Sequence, residues 1–229
     1  MPAASYPNFA GKHGHEAIFS PAEVVASLMA NGPVPGPDAV ILTYQQFLLD
    51  ELRERGVQPA TGYPGPWRSL WFTGGGARTI AVVGGFGEAV VCTGAIRDEG
   101  VSHHYAPAEK FAWPSETLTR RLTQALSADG TAPHCGLAWT IDAPYRETVA
   151  EARSYQAEGV VCVEMEAAAL FTVGRYRGID VAAAFVISDH LLAEDRWTHA
   201  FGTPTLRQAS IRLLDAALHA LSRQEPPTR

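Results

Sequence analysis

The chain has 229 residues, of which 46% are hydrophobic and 18% charged, and this ordinary globular composition excludes a mainly disordered, collagen-like or coiled-coil protein. Its 24 acidic and 18 basic residues give a net charge of −6, which leaves no basic excess to neutralise nucleic-acid phosphates. No apolar run approaches the roughly 20 residues that span a bilayer. Neither nucleic acid nor a membrane is therefore an expected partner.

The length favours one domain over residues 1–229, with flexible ends at 1–14 and 224–229. The amino terminus lacks the apolar core of a signal peptide. The cysteines are odd in number and far apart in the sequence, at Cys92, Cys135 and Cys162. This usage predicts reduced thiols in a cytoplasmic protein rather than a disulfide framework or a zinc site.

The first quarter of the chain predicts two helices and one short strand. A helix over 20–30 is expected to begin at Ser20, whose side chain can accept from first-turn N–H groups while Glu23 reaches back. An apolar run at 39–43 has strand length. Residues 44–55 show helical spacing, and the glycine that follows them is expected to end that helix.

A glycine-rich turn at 84–87, which includes Gly85 and Gly87, follows a predicted strand. Such a turn can bring backbone N–H groups to an anion, but no helix pattern follows it here. We therefore predict a tight hairpin that joins 80–83 to 89–92. The strands predicted in this part of the chain cover residues 69–73, 79–83 and 88–96.

The second half of the chain alternates strands with helices. This alternation favours an α/β fold with a mostly parallel central sheet flanked by helices. The predicted strands cover 135–141 and 181–188, and the predicted helices cover 115–127, 148–158, 165–177 and 204–221.

The segment Glu164-Met165-Glu166 lies where a strand-like apolar run turns into a helix. A carboxylate at such a junction can accept two hydroxyl hydrogen bonds at once, which suits the vicinal diol of a sugar. The alternative is that both acids simply favour the positive end of the helix dipole. The spacing alone does not separate the two interpretations.

A second polar segment, Ser188-Asp189-His190, follows the predicted strand 181–188. Open α/β sheets bind ligands at the carboxyl ends of their parallel strands, where an aspartate with a raised pKa could act as a general acid. The alternative is an N-cap for the following segment. Both interpretations stay open.

The histidines give little support for a metal site, and no metal is expected. His103 and His104 are adjacent on a segment that reads as extended, so their side chains should point to opposite faces. His13 and His15 share a face but have no third ligand at a suitable spacing.

Residues 159–189 are similar to the nucleoside phosphorylase family, which includes the purine and uridine phosphorylases and the methylthioadenosine nucleosidases. Glu164-Met165-Glu166 matches the family's ribose-binding motif, and Ser188-Asp189 matches its purine-side aspartate at the same separation. Residues 95–107 also resemble the family, and Tyr145 lies where the family has a base-stacking segment.

The resemblance implies a role for each matched residue. Glu166 would hold the ribose hydroxyls, with Glu164 beside it and Met165 against the sugar. Asp189, next to Ser188, would protonate or hydrogen-bond the leaving base. The acceleration of bond cleavage would then come from neutralising the leaving base and from fixing the sugar as it becomes oxocarbenium-like.

The chain departs from the family on its phosphate side. Tyr44-Gln45-Gln46 stands where the family has a Gly-Asp-Pro loop with an arginine, and a family helix and strand are absent between Gly87 and Glu88. The central sheet is therefore expected to be shortened. Residues left for a phosphate or water are Arg97, Gln45, Gly85 and Gly87.

The resemblance implies cleavage of a nucleoside N-glycosidic bond, with purines preferred. A phosphate-independent nucleoside hydrolase and a non-catalytic nucleoside-binding or degenerate subunit are the alternatives. The expected partners are a nucleoside, inorganic phosphate and further copies of the chain, as a dimer or trimer of dimers. His13 or His15 would be the residue lent to a neighbouring copy. No cofactor is expected.

Overall fold

The computed structural model describes residues 12–17, 20–28, 41–43, 45–56, 77–79, 87–130, 132–193 and 196–222. The chain divides into two compact units, a smaller one over 15–75 and a larger one over the remainder. The prediction of one domain over 1–229 stays a prediction. Of the ends predicted to be flexible, only residues 12–14 are described, and they form a 3-10 turn.

The smaller unit contains the helices α1 (Pro21–Leu28) and α2 (Gln46–Glu54). The predicted cap of α1 is confirmed, because Ser20 N–H donates to Glu23 Oε2 at 2.6 Å and Glu23 N–H donates to Ser20 Oγ at 3.2 Å. Gly56 follows α2 at φ +80°, a conformation that favours glycine at a helix end.

The strand predicted at 39–43 is wrong in its described part, since residues 41–43 have no regular structure. Leu42 is 61% exposed. The apolar run therefore does not supply the buried side chains that a central strand needs.

The larger unit is built on one sheet, whose described strands follow the order β3-β2-β4-β5-β1-β6-β7. These strands are β1 (Ala77–Thr79), β2 (Ala89–Asp98), β3 (Phe111–Ala112), β4 (His134–Ile141), β5 (Val160–Glu164), β6 (Ala184–Ala193) and β7 (Arg196–His199). The predicted parallel arrangement holds for the ladders β2–β4, β4–β5 and β1–β6, whereas β1–β5 and β2–β6 are antiparallel and β3 and β7 add antiparallel edges.

The sheet closes on itself, because β2 also pairs with β6 and β1 bridges β5 and β6. At Val90 both edges of β2 are occupied, by His134 of β4 on one side and Phe185 of β6 on the other. Of the hairpin predicted between 80–83 and 89–92, the first strand and residues 84–86 of the turn lie outside the described residues.

Helices cover both faces of the central strands. Along β4, Ala138 packs in a cluster with Phe171 of α5 (Ala167–Arg177), whereas the next residue, Trp139, packs with Ala152 of α4 (Val149–Ala157). This alternation follows from the period of two along a strand. The remaining helices are α3 (Glu116–Leu126) and α6 (Pro204–Ser222), which pack together through Leu122 and Ala216.

The described strand β6 runs through Asp189 to Ala193, further than the predicted end at residue 188. It is extended because β7 pairs with it, with Asp189 opposite His199. Asp189 therefore lies within a strand, and the alternative in which it caps a helix is wrong.

The histidine pair is also corrected. Ser102–His104 form a 3-10 turn rather than an extended segment. The turn begins where the Glu99 carboxylate accepts from Val101 N–H at 2.6 Å and Ser102 N–H at 3.0 Å. None of the described helices is long and apolar enough to cross a membrane.

Candidate functional site

Glu164 is the last residue of β5, and its buried carboxylate joins β5 to the start of α5. The N–H groups of Glu166 and Ala167 both donate to Glu164 Oε2 at 2.7 Å. Thr140 Oγ1 of β4 donates to the other carboxylate oxygen and itself accepts from Ala168 N–H at 3.0 Å. Glu164 therefore satisfies first-turn N–H groups that would otherwise lack partners.

Burial raises the pKa of Glu164 to about 7, although the bonds from Thr140, Glu166 and Ala167 oppose the shift. Desolvation dominates because the side chain is only 4% exposed. Near neutral pH both the protonated and the ionised form of this carboxyl group are therefore populated. Its hydrogen bonds show that it orders the loop on which the next two residues stand.

Met165 and Glu166 form the turn between β5 and α5. Met165 is 37% exposed, and Glu166 is half-buried at the N-cap of α5, where its side chain makes no capping bond. Burial raises the pKa of Glu166, while the N–H of Met165, which donates to its carboxylate, lowers it. The predicted ribose ligand thus faces partly outward, with Glu164 beneath it as its support.

Asp189 has no exposed surface, and both of its carboxylate oxygens accept hydrogen bonds. Ser188 Oγ donates to Oδ2 at 2.7 Å, and Trp197 Nε1 donates to Oδ1 at 2.9 Å. Both donors are neutral groups. The two hydrogen bonds together hold the carboxylate in one orientation.

The β1 strand places the two acidic segments at one level of the sheet. Arg78 of β1 stands opposite Val163 on one side and opposite Asp189 on the other. Adjacent strands lie about 4.8 Å apart, so the backbones of Val163 and Asp189 are separated by about 10 Å. The chain from Glu164 to Glu166 follows directly, so the structure brings the predicted sugar and base ligands to one region.

The structure does not place the other residues predicted for the site beside these acidic side chains. Tyr145, in a 3-10 turn after β4, is 99% exposed and contacts none of the acidic residues named above through a described hydrogen bond. Gln45 belongs to the smaller unit, where its N–H donates to Thr43 Oγ1 at 3.3 Å. Gly85 lies outside the described residues.

The Arg97 guanidinium points into its own connecting segment. Its Nε donates to Ser102 Oγ at 2.9 Å, and its terminal nitrogens donate to the carbonyls of Pro107 at 2.6 Å and Ala106 at 3.3 Å. Burial lowers its pKa, although nearby acids oppose the shift. Gly87 N–H likewise donates to the Ile187 carbonyl at 3.0 Å. Both groups thus have internal partners.

Thr140 and Trp197 contact the two acidic segments but are not marked as site residues by the sequence. Thr140 is the strand neighbour of Glu164, and this pairing depends on a register that the sequence does not show. Trp197 lies eight residues after Asp189 on a strand that was not predicted. Alternation in Arg196-Trp197-Thr198-His199 was the available signal, but four residues are too few to establish it.

Two acidic side chains with different surroundings can divide the work at a glycosidic bond. A half-buried, outward-facing carboxylate suits hydroxyl donors, and a buried, oriented carboxylate suits a polar atom of a departing base. Among the described residues no group of three or more His, Cys, Asp or Glu could hold a metal ion.

Residues 78–222 match the model of the phosphorylase superfamily. The chain is 30% identical over 107 residues to a guanosine phosphorylase of Halorubrum lacusprofundi, a match that covers 47% of this chain and 44% of the relative. It is 28% identical over 114 residues to a DeoD-type purine nucleoside phosphorylase of Bacillus cereus, covering 50% of this chain and 46% of the relative. The chain thus spans about half the length of these curated relatives.

Two solved structures share the fold. A P. knowlesi homolog of P. falciparum PNP has a TM-score of 0.53 at 19% identity and covers 65% of this chain and 61% of its own. A purine nucleoside phosphorylase from Toxoplasma gondii, in complex with immucillin-H, has a TM-score of 0.57 at 15% identity and covers 64% and 60%. Since the family model matches more than half of the sequence, the chain belongs to the phosphorylase superfamily.

Proposed function

We propose that this protein cleaves the N-glycosidic bond of a nucleoside and prefers purines. The observation that carries the proposal is that Val163 and Asp189 stand at one level of a closed sheet, with Glu166 following Val163 at the N-cap of α5. The names of the relatives, a guanosine phosphorylase and a purine nucleoside phosphorylase, support a purine substrate.

In this proposal Glu166 accepts hydrogen bonds from the ribose hydroxyls and Met165 packs against the sugar. The Glu164 carboxylate fixes the N-cap backbone of Glu166 through a hydrogen bond. This keeps the Glu166 carboxylate close to the sugar as positive charge develops at the anomeric carbon of the ribose. Asp189, oriented by Ser188, stabilises the departing base by hydrogen bonding or proton transfer. The proposed base-stacking role of Tyr145 requires that its exposed ring contact the bound nucleoside.

In the first form of the proposal inorganic phosphate accepts the ribosyl group, and in the second form water accepts it. The internal hydrogen bonds of Arg97 and Gly87 favour water as the acceptor, because these groups would have to break those bonds to bind a phosphate anion. Gln45, in the smaller unit, and Gly85, outside the described residues, stay sequence predictions for the phosphate or water side. No cofactor enters the proposed reaction.

We also propose that the protein forms homo-oligomers in the cytoplasm. Two large apolar side chains that follow β4, Tyr145 and Val149, are 99% and 55% exposed, and such groups are common at subunit contacts. The cysteines of the described chain are free thiols, which suits a reducing compartment.

The experiment is base release from inosine and adenosine by the full chain, with and without inorganic phosphate. Release that requires phosphate would establish a phosphorylase, and equal release in both conditions would establish a hydrolase. Binding of nucleoside without release would reject catalysis and leave the non-catalytic binder. Failure to bind either nucleoside would reject the proposed function.

A further inference from the structure

The indole of Trp197 covers the carboxylate to which we assign the leaving base. Asp189 has no exposed surface, whereas Trp197 is 51% exposed and donates its Nε1–H to Asp189 Oδ1 at 2.9 Å. A base that contacts this oxygen must therefore displace atoms that cover it. Because Trp197 is half-exposed and its indole N–H is hydrogen-bonded to this oxygen, it is the group best placed to move.

The indole presents the same chemistry as a departing purine. It is a flat bicyclic ring whose five-membered part carries an N–H donor, and a purine protonated on its imidazole ring offers an N–H donor from the same kind of ring. The indole N–H already donates to Asp189 Oδ1 at 2.9 Å, which is the contact that such a base would make. The indole and the base would therefore compete for the same acceptor.

The neighbourhood of the indole is aromatic. The Trp197 ring lies 4.7 Å from the His199 ring and 6.0 Å from the Phe201 ring, measured between centroids. His199 stacks on Phe201 at 4.8 Å with an interplanar angle of 18°. Flat rings at these distances gain from stacking, so the surroundings that hold the indole also suit a planar base.

We propose that Trp197 sets the base affinity of the site by occupying the acceptor of Asp189 until a base with a ring N–H donor replaces it. This inference rests on the proposed function. Binding a base then exchanges one hydrogen bond to Asp189 for another. The net free energy of binding then comes only from stacking and from the contacts to the sugar.

The test compares hypoxanthine binding by the wild type, Trp197→Phe and Trp113→Phe in isothermal titration calorimetry. Phenylalanine keeps an aromatic ring but has no N–H donor, so Trp197→Phe should bind about tenfold tighter, since binding no longer breaks a hydrogen bond to Asp189. Trp113 is a matched control because it is 52% exposed and packs over Gly94 and Phe111. Trp113→Phe should bind as the wild type does.

Unchanged or weaker binding by Trp197→Phe would overturn the proposal while leaving the proposed function standing. Failure of all three proteins to bind any purine base or nucleoside would overturn both. Should Trp197→Phe not fold, Trp197→Leu, which also lacks a hydrogen-bond donor, replaces it with the same expected result. The wild type supplies a second measurement. Its Trp197 indole N–H resonance should shift when hypoxanthine is added, and a resonance that stays in place at saturation would contradict the proposal.

Discussion

Glu164 and Glu166 are two residues apart but have different surroundings. Glu164 is buried, and its carboxylate accepts from two backbone N–H groups and a threonine hydroxyl, whereas Glu166 is half-buried and makes no side-chain cap bond. The sequence interpretation that acids favour the start of a helix therefore describes Glu164 well. The ligand interpretation is left to Glu166, which that support holds in place.

The raised pKa of Glu164 predicts a pH dependence of stability. Between the ordinary value of 4.5 and the folded value of about 7, the folded state keeps a proton that the unfolded state has released. The unfolding free energy should therefore fall as pH rises through this window, by about 2–3 kcal/mol between pH 5 and pH 8. Urea denaturation of the wild type and Glu164→Gln at both pH values measures the difference.

Glutamine cannot ionise, so Glu164→Gln should lose this fall while Glu116→Gln, at the exposed start of α3, should keep it. If the wild type and Glu164→Gln lose stability equally between pH 5 and pH 8, Glu164 does not titrate near neutrality.

Asp189→Asn should slow the cleavage of purine nucleosides by about 10²–10⁴-fold, because assistance to a poor leaving group depends on the carboxylate. A nitrophenyl riboside, whose leaving group needs no such help, should lose much less. Steady-state rates on both substrates measure the contrast, and exposed Asp180→Asn is the control. Equal losses on the two substrates would indicate a structural role for Asp189.

At the scale of elements, the parts of the structure with local signals were predictable. The Ser20 and Glu23 cap, the β5–α5 junction and the ranges of α3 to α6 follow from side-chain spacing and capping residues. What failed depended on distant partners. The sequence does not show that β6 closes the free edge of β2, or that a four-residue β7 extends β6 past Asp189.

Helix α5 begins directly after Glu166, and its close packing at Gly174 gives a prediction for that element. A Cβ at this position would lie 2.4 Å from Val181 Cγ2 and 3.0 Å from the Ile179 carbonyl oxygen. Gly→Ala in a helix ordinarily stabilises by roughly 0.5–1 kcal/mol, but here overpacking should reverse the sign and destabilise by about 1–3 kcal/mol.

Thermal or urea unfolding of Gly174→Ala measures this effect, with exposed Ser154→Ala of α4 as a helix-propensity control. A gain in stability for Gly174→Ala would show that α5 is not packed against residues 179–181 as described.

At the scale of the whole molecule, the candidate site lies within the larger unit and within the residues that match the superfamily. The residues proposed as its ligands lie at the end of β5, at the start of α5 and on β6, which the closed sheet brings together through β1 and β2. The family resemblance singles out Glu164, Glu166 and Asp189 from sequence, and their roles stay predictions. It could not predict Trp197 or the internal use of Arg97, which depend on contacts particular to this chain.

The central claim is that Glu166 binds the sugar of a nucleoside that this protein cleaves. The most direct measurement is kcat/KM for base release from inosine or adenosine by the wild type, Glu166→Ala and Glu116→Ala, the last an acid in the first turn of α3. Losing charge-assisted bonds to two hydroxyls costs about 2–4 kcal/mol, so Glu166→Ala should fall roughly 30- to 1000-fold, with an unchanged far-UV spectrum, while Glu116→Ala keeps the parental rate. Release by Glu166→Ala at the parental rate would contradict the account.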